Sequence, residues 1–341
     1  MARTAGSTQA HWFLRVSRAG LITPWAPGSK FEQILLLEVE GMKKMVCEPT
    51  IKSQTDTSGW FPFDLPPDVP ARGEGGFEGA VDFSGSIEKP AGKHGFLRVS
   101  GEHFAFADGT PIKFWGVNLD SGGGVPEQAH APFAARRMAQ LGINVARFAV
   151  DHEAPRGIIA PGNDTQHIDA EMLDRLDYFV SCLKENGIYT RLDLMHYRIY
   201  RPGDGVDAPQ RERGEPPYGG GPAMYFDPKA EALHKQFATQ LLLHESPYTG
   251  LRYVDDPAMV FVGIVNENTI FFYPRRMTDS GRKTLDGRYE EWLKTHPGGA
   301  KMRFLAGLER GYYERMHAFL REIGVKTPIA GHNMVMNAAD G

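Results

Sequence analysis

Short apolar runs alternate with longer segments of helical period over most of the chain from about residue 95 onward. Between the runs, apolar residues recur three or four positions apart, as they do in helices that bury one face. Runs with strand character cover 96–99, 103–106, 111–119, 144–150, 189–195, 259–265 and 328–331. Segments with helical period cover 126–141, 169–187, 227–241 and 301–323. Alternating apolar strands and helices predict an α/β fold with a parallel sheet covered by helices.

Residues with strong local preferences place several of the element boundaries. Asp169 is an N-cap for the second helix, and Gly187 follows its end. Asp227 followed by Pro228 predicts the start of the third helix, because proline is favoured in the first helical turn. The dipeptide Asp108-Gly109 predicts a type I′ hairpin turn between the second and third strands.

The choice between a doubly wound sheet and a (β/α)8 barrel depends on the motifs near the strand ends. No G-x-G-x-x-G sequence follows a strand, and the glycines of 121–124 lack that spacing, which favours the barrel. Counting from the strand that ends at Asn118, the sequence predicts only about five of eight barrel strands. The predicted organisation is an uncertain N-terminal extension (1–58), a loop and β-hairpin lead-in (59–112) and a partial catalytic barrel (113–341).

Composition narrows the function classes without selecting one. The 341 residues are 41% hydrophobic and 23% charged, with a net charge of −4, as in a globular protein with a real core. Lys and Arg are scattered among acids, so no nucleic-acid partner is predicted. No apolar run approaches the length of a membrane span, and no signal peptide is recognisable; location stays open between the cytoplasm and secretion from a different N-terminus. Cys47 and Cys182 cannot form a disulfide framework, and Cys182 is predicted to be buried.

Polar residues lie in or just after several of the predicted strands, toward the ends where barrel enzymes carry their reacting groups. The candidates at these positions are Asn118, Arg147, Asp151, His152, Glu153, Asp193, His196, Asn266, Glu267, His332 and Asn333. Glu267 follows the apolar run 260–265 directly and is expected to be partly buried. A carboxylic acid held in this way is suited to general acid catalysis, as glycosidic cleavage requires.

Three segments together resemble a known enzyme group. They are FWGVN at 114–118, LGINVAR at 141–147 and the Asn-Glu pair at 266–267, preceded by the hairpin sequence of 104–112. Their order and spacing over about 95–335 resemble the clan A glycoside hydrolases, most closely the cellulase and mannanase type around family 5. The resemblance implies a (β/α)8 barrel and retaining hydrolysis of a β-linked polysaccharide or oligosaccharide, without a cofactor or metal.

The resemblance also implies roles for individual residues. Glu267 would be the acid/base, and Asn266 would hydrogen-bond the sugar 2-hydroxyl. Arg147 would brace the nucleophile, His196 would line the pocket of the −1 sugar, and Asn118 is grouped with the substrate-binding residues. The nucleophile of this group is a Glu after the seventh strand, and no residue here matches it. The chain is therefore expected to be a C-terminally truncated fragment that is inactive and poorly soluble by itself.

Two other functions stay open from the residues alone. A non-catalytic carbohydrate-binding barrel would need no nucleophile. A metal-dependent hydrolase could use His152, His196, Asp193, Glu267 and His332. Metal-dependent barrels usually carry a His-x-His pair on the first strand, whereas this strand ends in Val-Asn, so no metal site is predicted.

Aromatic side chains are the remaining prediction for the carbohydrate cleft. Loop aromatics suited to sugar stacking are Tyr197, Tyr200, Tyr225, Phe271, Phe272 and Tyr273. Trp115, by contrast, is predicted to pack in the core.

Overall fold

The structure is a computed structural model that describes the backbone of 34–35 and 46–47 and residues 82–332, apart from Tyr197, 208–220, 273–276 and the side chain of Phe272. The chain divides into two compact units, Met1–Leu65 and Pro66–Gly341. In the first unit the backbone of β1 (Ile34–Leu35) pairs antiparallel with that of β2 (Val46–Cys47). The finer division at 58 and 112 stays a prediction.

The second unit begins with a three-stranded antiparallel sheet. Its strands are β3 (Leu97–Ser100), β4 (His103–Phe106) and β5 (Pro111–Ile112). Strand β4 lies in the centre and pairs with both neighbours. This confirms the predicted hairpin lead-in, although β5 is shorter than the apolar run that predicted it.

The turn between β4 and β5 differs from the prediction. A type I′ turn needs a positive φ at both central residues, but only Gly109 has one (φ 91°). The Gly109 N–H donates to the Phe106 carbonyl, and the Phe106 N–H donates to Thr110, which gives a three-residue loop. Asp108 has no positive φ, and its carboxylate accepts the Thr110 backbone N–H at 2.9 Å. The predicted type I′ turn is therefore wrong.

Five strands form a parallel sheet in which every neighbour is also the next sheet strand along the chain. The first three are β6 (Gly116–Asp120), β7 (Val145–Ala149) and β8 (Tyr189–Asp193). A separate antiparallel hairpin of β9 (Glu245–Ser246) and β10 (Leu251–Arg252) follows β8 along the chain. The last two strands of the parallel sheet are β11 (Met259–Gly263) and β12 (Ile329–Ala330). The sheet order is β6-β7-β8-β11-β12. A doubly wound sheet reverses its order at a switch point, whereas a barrel does not. In the described residues β6 and β12 are edges, so the predicted incomplete (β/α)8 arrangement is confirmed.

Helices connect the successive parallel strands. They are α1 (Ala131–Gln140), α2 (Ala170–Glu185), α3 (Pro228–Leu242), α4 (Asp279–Thr295) and α5 (Lys301–Glu322). Helix α1 packs against α2, and α3 packs against α5. None of the described helices combines the length and the apolar character needed to cross a bilayer.

The helix boundaries follow the capping signals where these are strong. The Asp169 carboxylate accepts the Met172 N–H at 3.0 Å, and Asp227 accepts the Lys229 N–H at 2.8 Å. Gly187 follows α2 with a φ of 79°, as glycine permits. The first helix begins at Ala131, five residues later than predicted, and α4 was not predicted at all.

Two apolar clusters pack against the parallel sheet, one with the helices and one with the antiparallel sheet. Leu119, Phe148 and Leu192 from three neighbouring strands are buried in the main cluster with the helices. A smaller cluster packs the antiparallel sheet under the amino ends of the parallel strands, with Phe106 stacked on Tyr189 at 5.1 Å between ring centroids. The carboxyl ends are thereby left for polar side chains.

Trp115 does not pack in the core as predicted, because 69% of its surface is exposed. It immediately precedes β6, and the described part of the chain places no further strand on the outer side of β6. Cys182, in contrast, is buried on α2 as predicted.

Candidate active site

Strand register brings the predicted polar residues onto one face of the parallel sheet. Asn118 lies opposite Arg147, and Arg147 lies opposite Arg191. Since side chains alternate along a strand, these residues face away from Leu119 and Phe148, which are buried against the helices. The polar side chains therefore share the concave face of the sheet, the face that lines a barrel interior.

Arg147 is the centre of this polar group. Its Nε atom donates to Oδ2 of Asp193 at 2.6 Å, and Nη2 forms an ion pair with the same carboxylate. The same Nη2 donates to Oδ1 of Asn266 at 2.5 Å, and Nη1 lies 3.5 Å from Oδ1 of Asn118. One guanidinium thus connects side chains from β6, β8 and the residues after β11.

Asp193 is completely buried and is compensated by two arginines. Besides the contact with Arg147, its Oδ1 accepts a hydrogen bond from Nε of Arg191 at 2.8 Å. A buried carboxylate requires such compensation because desolvation penalises its charge. Gly263 makes room for it, since a Cβ atom at that position would overlap the Asp193 carboxylate.

Arg191 and Gly263 were missed by sequence reasoning. The only local signal for Arg191 is its spacing of two residues from Asp193, which puts both side chains on one face of β8. Gly263 gave no signal of its own, because its role depends on the register between β8 and β11.

Glu267 sits on a strained turn between two buried asparagines. The chain continues its sheet-like hydrogen bonding through Asn266, whose N–H donates to the Met195 carbonyl at 2.8 Å. Glu267 then adopts φ 43°, in the left-handed region that disfavours side chains by about 1–2 kcal/mol. Asn266 and Asn268 are buried, while Glu267 is exposed. The predicted partial burial of Glu267 is therefore not found, because the turn takes it out of the packed strand.

His196 is fixed through its backbone. Its N–H donates to Oδ2 of Asp151 at 2.6 Å, and the same oxygen accepts the Arg198 N–H at 2.9 Å. Burial lowers the pKa of the His196 imidazole, and the nearby Arg147 acts in the same direction, although Asp151 opposes it. The His196 ring is therefore mainly neutral near neutral pH, so it can both donate a hydrogen bond to a hydroxyl group and accept one from it.

Other predicted rim residues are engaged away from Arg147. His152 contacts Oδ1 of Asp120 at 3.1 Å, and Glu153 pairs with Arg201 at 2.5 Å. His332 instead packs against Tyr313, with the ring centroids 5.6 Å apart and the rings tilted by 34°, and Asn333 lies outside the described residues. Within the described ranges, no group of three or more His, Cys, Asp or Glu side chains is arranged to hold a metal ion.

Two of the aromatic residues predicted for sugar stacking are buried. Tyr200 and Tyr225 lie in the main core and present no ring face to solvent. Phe271 is half-buried and packs against the same core. Tyr197, Tyr273 and the side chain of Phe272 lie outside the described residues. Stacking by Tyr200 and Tyr225 was therefore predicted wrongly.

Comparisons with known proteins give matches at the level of structure. No family model matches the sequence, and no curated protein matches it. The chain is similar to a glycoside hydrolase family 5 mannosidase from Rhizomucor miehei, with 16% identity, 72% of this chain and 57% of that one covered, and a TM-score of 0.49.

Two mannanases are also similar in structure. For an endo-1,4-beta-mannanase from Rhizomucor miehei, identity is 19%, coverage is 51% of this chain and 49% of that one, and the TM-score is 0.40. For the endo-beta-1,4-mannanase from Thermotoga petrophila, identity is 15%, coverage is 64% of this chain and 42% of that one, and the TM-score is 0.41. The chain spans roughly half the length of these proteins, from 42% to 57%. Identities and TM-scores this low transfer no activity, so function is a proposal.

Proposed function

We propose that this protein is a retaining glycoside hydrolase of the clan A, family 5-like type, acting on a β-linked polysaccharide or oligosaccharide. The observation that carries the proposal is the contact of one guanidinium, that of Arg147, with Asn118, Asp193 and Asn266. Asn118 and Arg147 lie within the neighbouring parallel strands β6 and β7, and Asp193 ends β8. Asn266 follows β11, and Glu267 comes directly after it. The sequence resemblance supports the same reaction.

In this proposal Glu267 is the acid/base. It protonates the bridging oxygen while a nucleophilic carboxylate attacks the anomeric carbon, and then takes a proton from the water that hydrolyses the glycosyl-enzyme. The two carboxyl groups of a retaining enzyme stand about 5–5.5 Å apart. Exposure of Glu267 in the described chain leaves room for a sugar and for the loop that carries the second carboxylate.

Asn266 is proposed to bind the sugar 2-hydroxyl. Its Oδ1 accepts from Arg147, so the orientation of the amide is set. The amide nitrogen is then the end that can donate to a hydroxyl group. The neutral imidazole of His196 supplies a second polar contact on the same rim, and Asn118 supplies a third.

Arg147 is proposed to brace the nucleophile. Two arginines share one buried carboxylate, so the group formed with Arg191 and Asp193 keeps an excess positive charge that suits a second carboxylate. Two acids at the ends of β6 and β7 already have partners: Asp120 contacts His152, and Asp151 accepts two backbone N–H groups. We therefore assign the nucleophile to a strand end outside the five described strands.

The experiment uses polysaccharides, namely β-mannan, cellulose and xylan, together with aryl β-glycosides that carry a good leaving group. The expected result is no hydrolysis by the 341-residue chain and hydrolysis with retained configuration by a polypeptide that also carries the nucleophile strand. In that polypeptide Glu267→Ala should lower turnover of natural substrates by about 10²–10⁴, the range expected of a general acid. Azide should rescue this variant on activated substrates and yield a β-glycosyl azide.

Glu245→Gln is the matched control, because this acid is exposed on the short strand β9. It should leave turnover unchanged. Hydrolysis by the soluble 341-residue monomer would contradict the assignment of the nucleophile. Full activity of Glu267→Ala, or carbohydrate binding without hydrolysis by the longer polypeptide, would overturn the catalytic proposal.

A further inference from the structure

A buried acid on α5 contacts the loop that follows Glu267. Glu309 is only 8% exposed, and the Thr269 hydroxyl donates to its Oε2 at 3.1 Å. Thr269 is two residues beyond Glu267 and is itself buried. Glu309 thus connects α5 to the segment that directly follows Glu267.

The same loop is held at a second point by residues that pack beside Glu309. The Tyr225 hydroxyl donates to the Asn268 carbonyl at 2.8 Å and lies 3.2 Å from the Tyr313 hydroxyl on α5. The Asn268 amide donates to the Gly221 carbonyl at 3.1 Å. The Asn268 carbonyl just downstream of Glu267 is therefore held by Tyr225 from the loop before α3, and the Thr269 side chain is held by Glu309 from α5.

The turn at Glu267 needs such support because its left-handed conformation is unfavourable for a residue with a side chain. Upstream, Asn266 is fixed by Met195 and Arg147. We propose that Glu309 is a positioning residue that holds the downstream side of this turn and so sets where the Glu267 carboxyl stands. The inference rests on the proposed role of Glu267 as acid/base.

The surroundings of Glu309 fit a neutral acid better than a carboxylate. Burial raises the pKa of the Glu309 carboxyl, although hydrogen bonds from Thr269 and the Ile270 backbone favour the charged form. Its Oε1 has no hydrogen-bond partner in the part of the chain that the structure describes. With Tyr313 it also lines a cavity of about 580 Å³. A glutamine, neutral and of the same shape, should therefore replace it, whereas alanine should release the loop.

The experiment measures hydrogen–deuterium exchange of the full chain, in peptides that cover 264–272. Glu309→Ala should speed exchange in this segment about tenfold or more, because the segment can then open without breaking a hydrogen bond between Thr269 and Glu309. Glu309→Gln should restore slow exchange. Glu314→Ala is the matched control on the same helix, since Glu314 is exposed and forms an ion pair with Arg310 at 3.3 Å.

Exchange that is unchanged in Glu309→Ala, or that rises equally in β7 and β8, would overturn the positioning role. Failure of Glu309→Gln to restore exchange would do the same. In a polypeptide that hydrolyses glycosides, Glu309→Ala should lower kcat with little change in KM, and Glu309→Gln should recover it. Absence of hydrolysis in every form would remove the proposed function, while the exchange result would still decide whether Glu309 holds the turn.

Discussion

At the residue scale, the candidate site depends on a few charges that compensate each other in partial burial. Arg147 and Arg191 converge on the buried Asp193. Arg147 and Asp193 could be chosen from the sequence as polar residues of predicted strands, whereas Arg191 could not. Their contact could not be predicted from the sequence, because it requires the register of β7 against β8 and the absence of a side chain at Gly263.

Replacing Asp193 should destabilise the fold. In Asp193→Asn both arginines lose their common charge partner in a buried position, which we expect to lower the free energy of unfolding by about 3 kcal/mol. Urea unfolding followed by circular dichroism measures this. Asp279→Asn is the control, because this acid is largely exposed beside Arg282, and such surface pairs contribute about 0–1 kcal/mol. Equal effects of the two substitutions would contradict the prediction.

His94 should make stability depend on pH. Its Nδ1 lies 2.6 Å from Asp108 and its Nε2 lies 2.7 Å from Glu88, so both ring nitrogens face carboxylates and the ring is best accommodated as a cation. Hydrogen bonds to Asp108 and Glu88 raise the pKa of His94. The pKa of Asp108 is lowered to about 2, chiefly by the Thr110 backbone N–H, and that of Glu88 is lowered by His94 and Lys93.

The sign of the effect follows from these directions. The contribution of His94 to the free energy of unfolding is fully present below about pH 6.5 and is lost as the pH rises through the raised pKa of His94. The contributions of Asp108 and Glu88 to this free energy are present above about pH 4.5 and are lost as the pH falls through their lowered pKa values. Unfolding free energies of His94→Gln and the parent chain should therefore differ most between these limits. A constant difference from pH 4 to pH 9 would contradict this account.

At the element scale, local sequence was sufficient where a helix or strand is amphipathic and clearly capped. Helix α2 has both an apolar face and the Asp169 cap, and it was placed to within one or two residues. Helix α4 escaped prediction because only Gly281 and Leu285 are buried along its 17 residues, which leaves little apolar period to detect. The turn at Asp108 was misjudged because a side chain, rather than a second positive φ, completes it.

The cap of α2 provides a test at this scale. Asp169→Ala removes the acceptor of the Met172 N–H and should lower the free energy of unfolding by about 1 kcal/mol. Glu185→Ala, at the exposed far end of the same helix, should have a much smaller effect. Thermal or urea unfolding of both variants decides the matter, and a larger loss in Glu185→Ala would contradict the capping assignment.

At the scale of the whole molecule, the described parallel sheet has two open edges, β6 and β12. Unpaired edges of this kind favour association with other chains. Trp115 beside β6 adds an exposed aromatic surface. The 341-residue chain should therefore be poorly soluble and should associate as its concentration rises.

Sedimentation velocity over a wide concentration range tests the association. Trp115→Lys should reduce it, because a charge replaces an exposed ring next to the edge strand. Met302→Lys is the control: Met302 is also exposed, with 51% of its surface accessible, but it lies on α5. A chain that stays monomeric throughout, or equal effects of the two substitutions, would contradict the role of the β6 edge.

By itself, the sequence determined the alternation of strands and helices, most of their boundaries and the set of polar residues at strand ends. Those features depend on hydrophobic period and capping, which act over a few residues. Only the tertiary structure decided that Arg147 joins Asp193 to Asn266, that Glu267 is exposed on a left-handed turn, and that Glu309 contacts Thr269 just after this turn. These contacts join residues 40 to 119 positions apart, so they depend on strand register and helix packing, which no local pattern encodes.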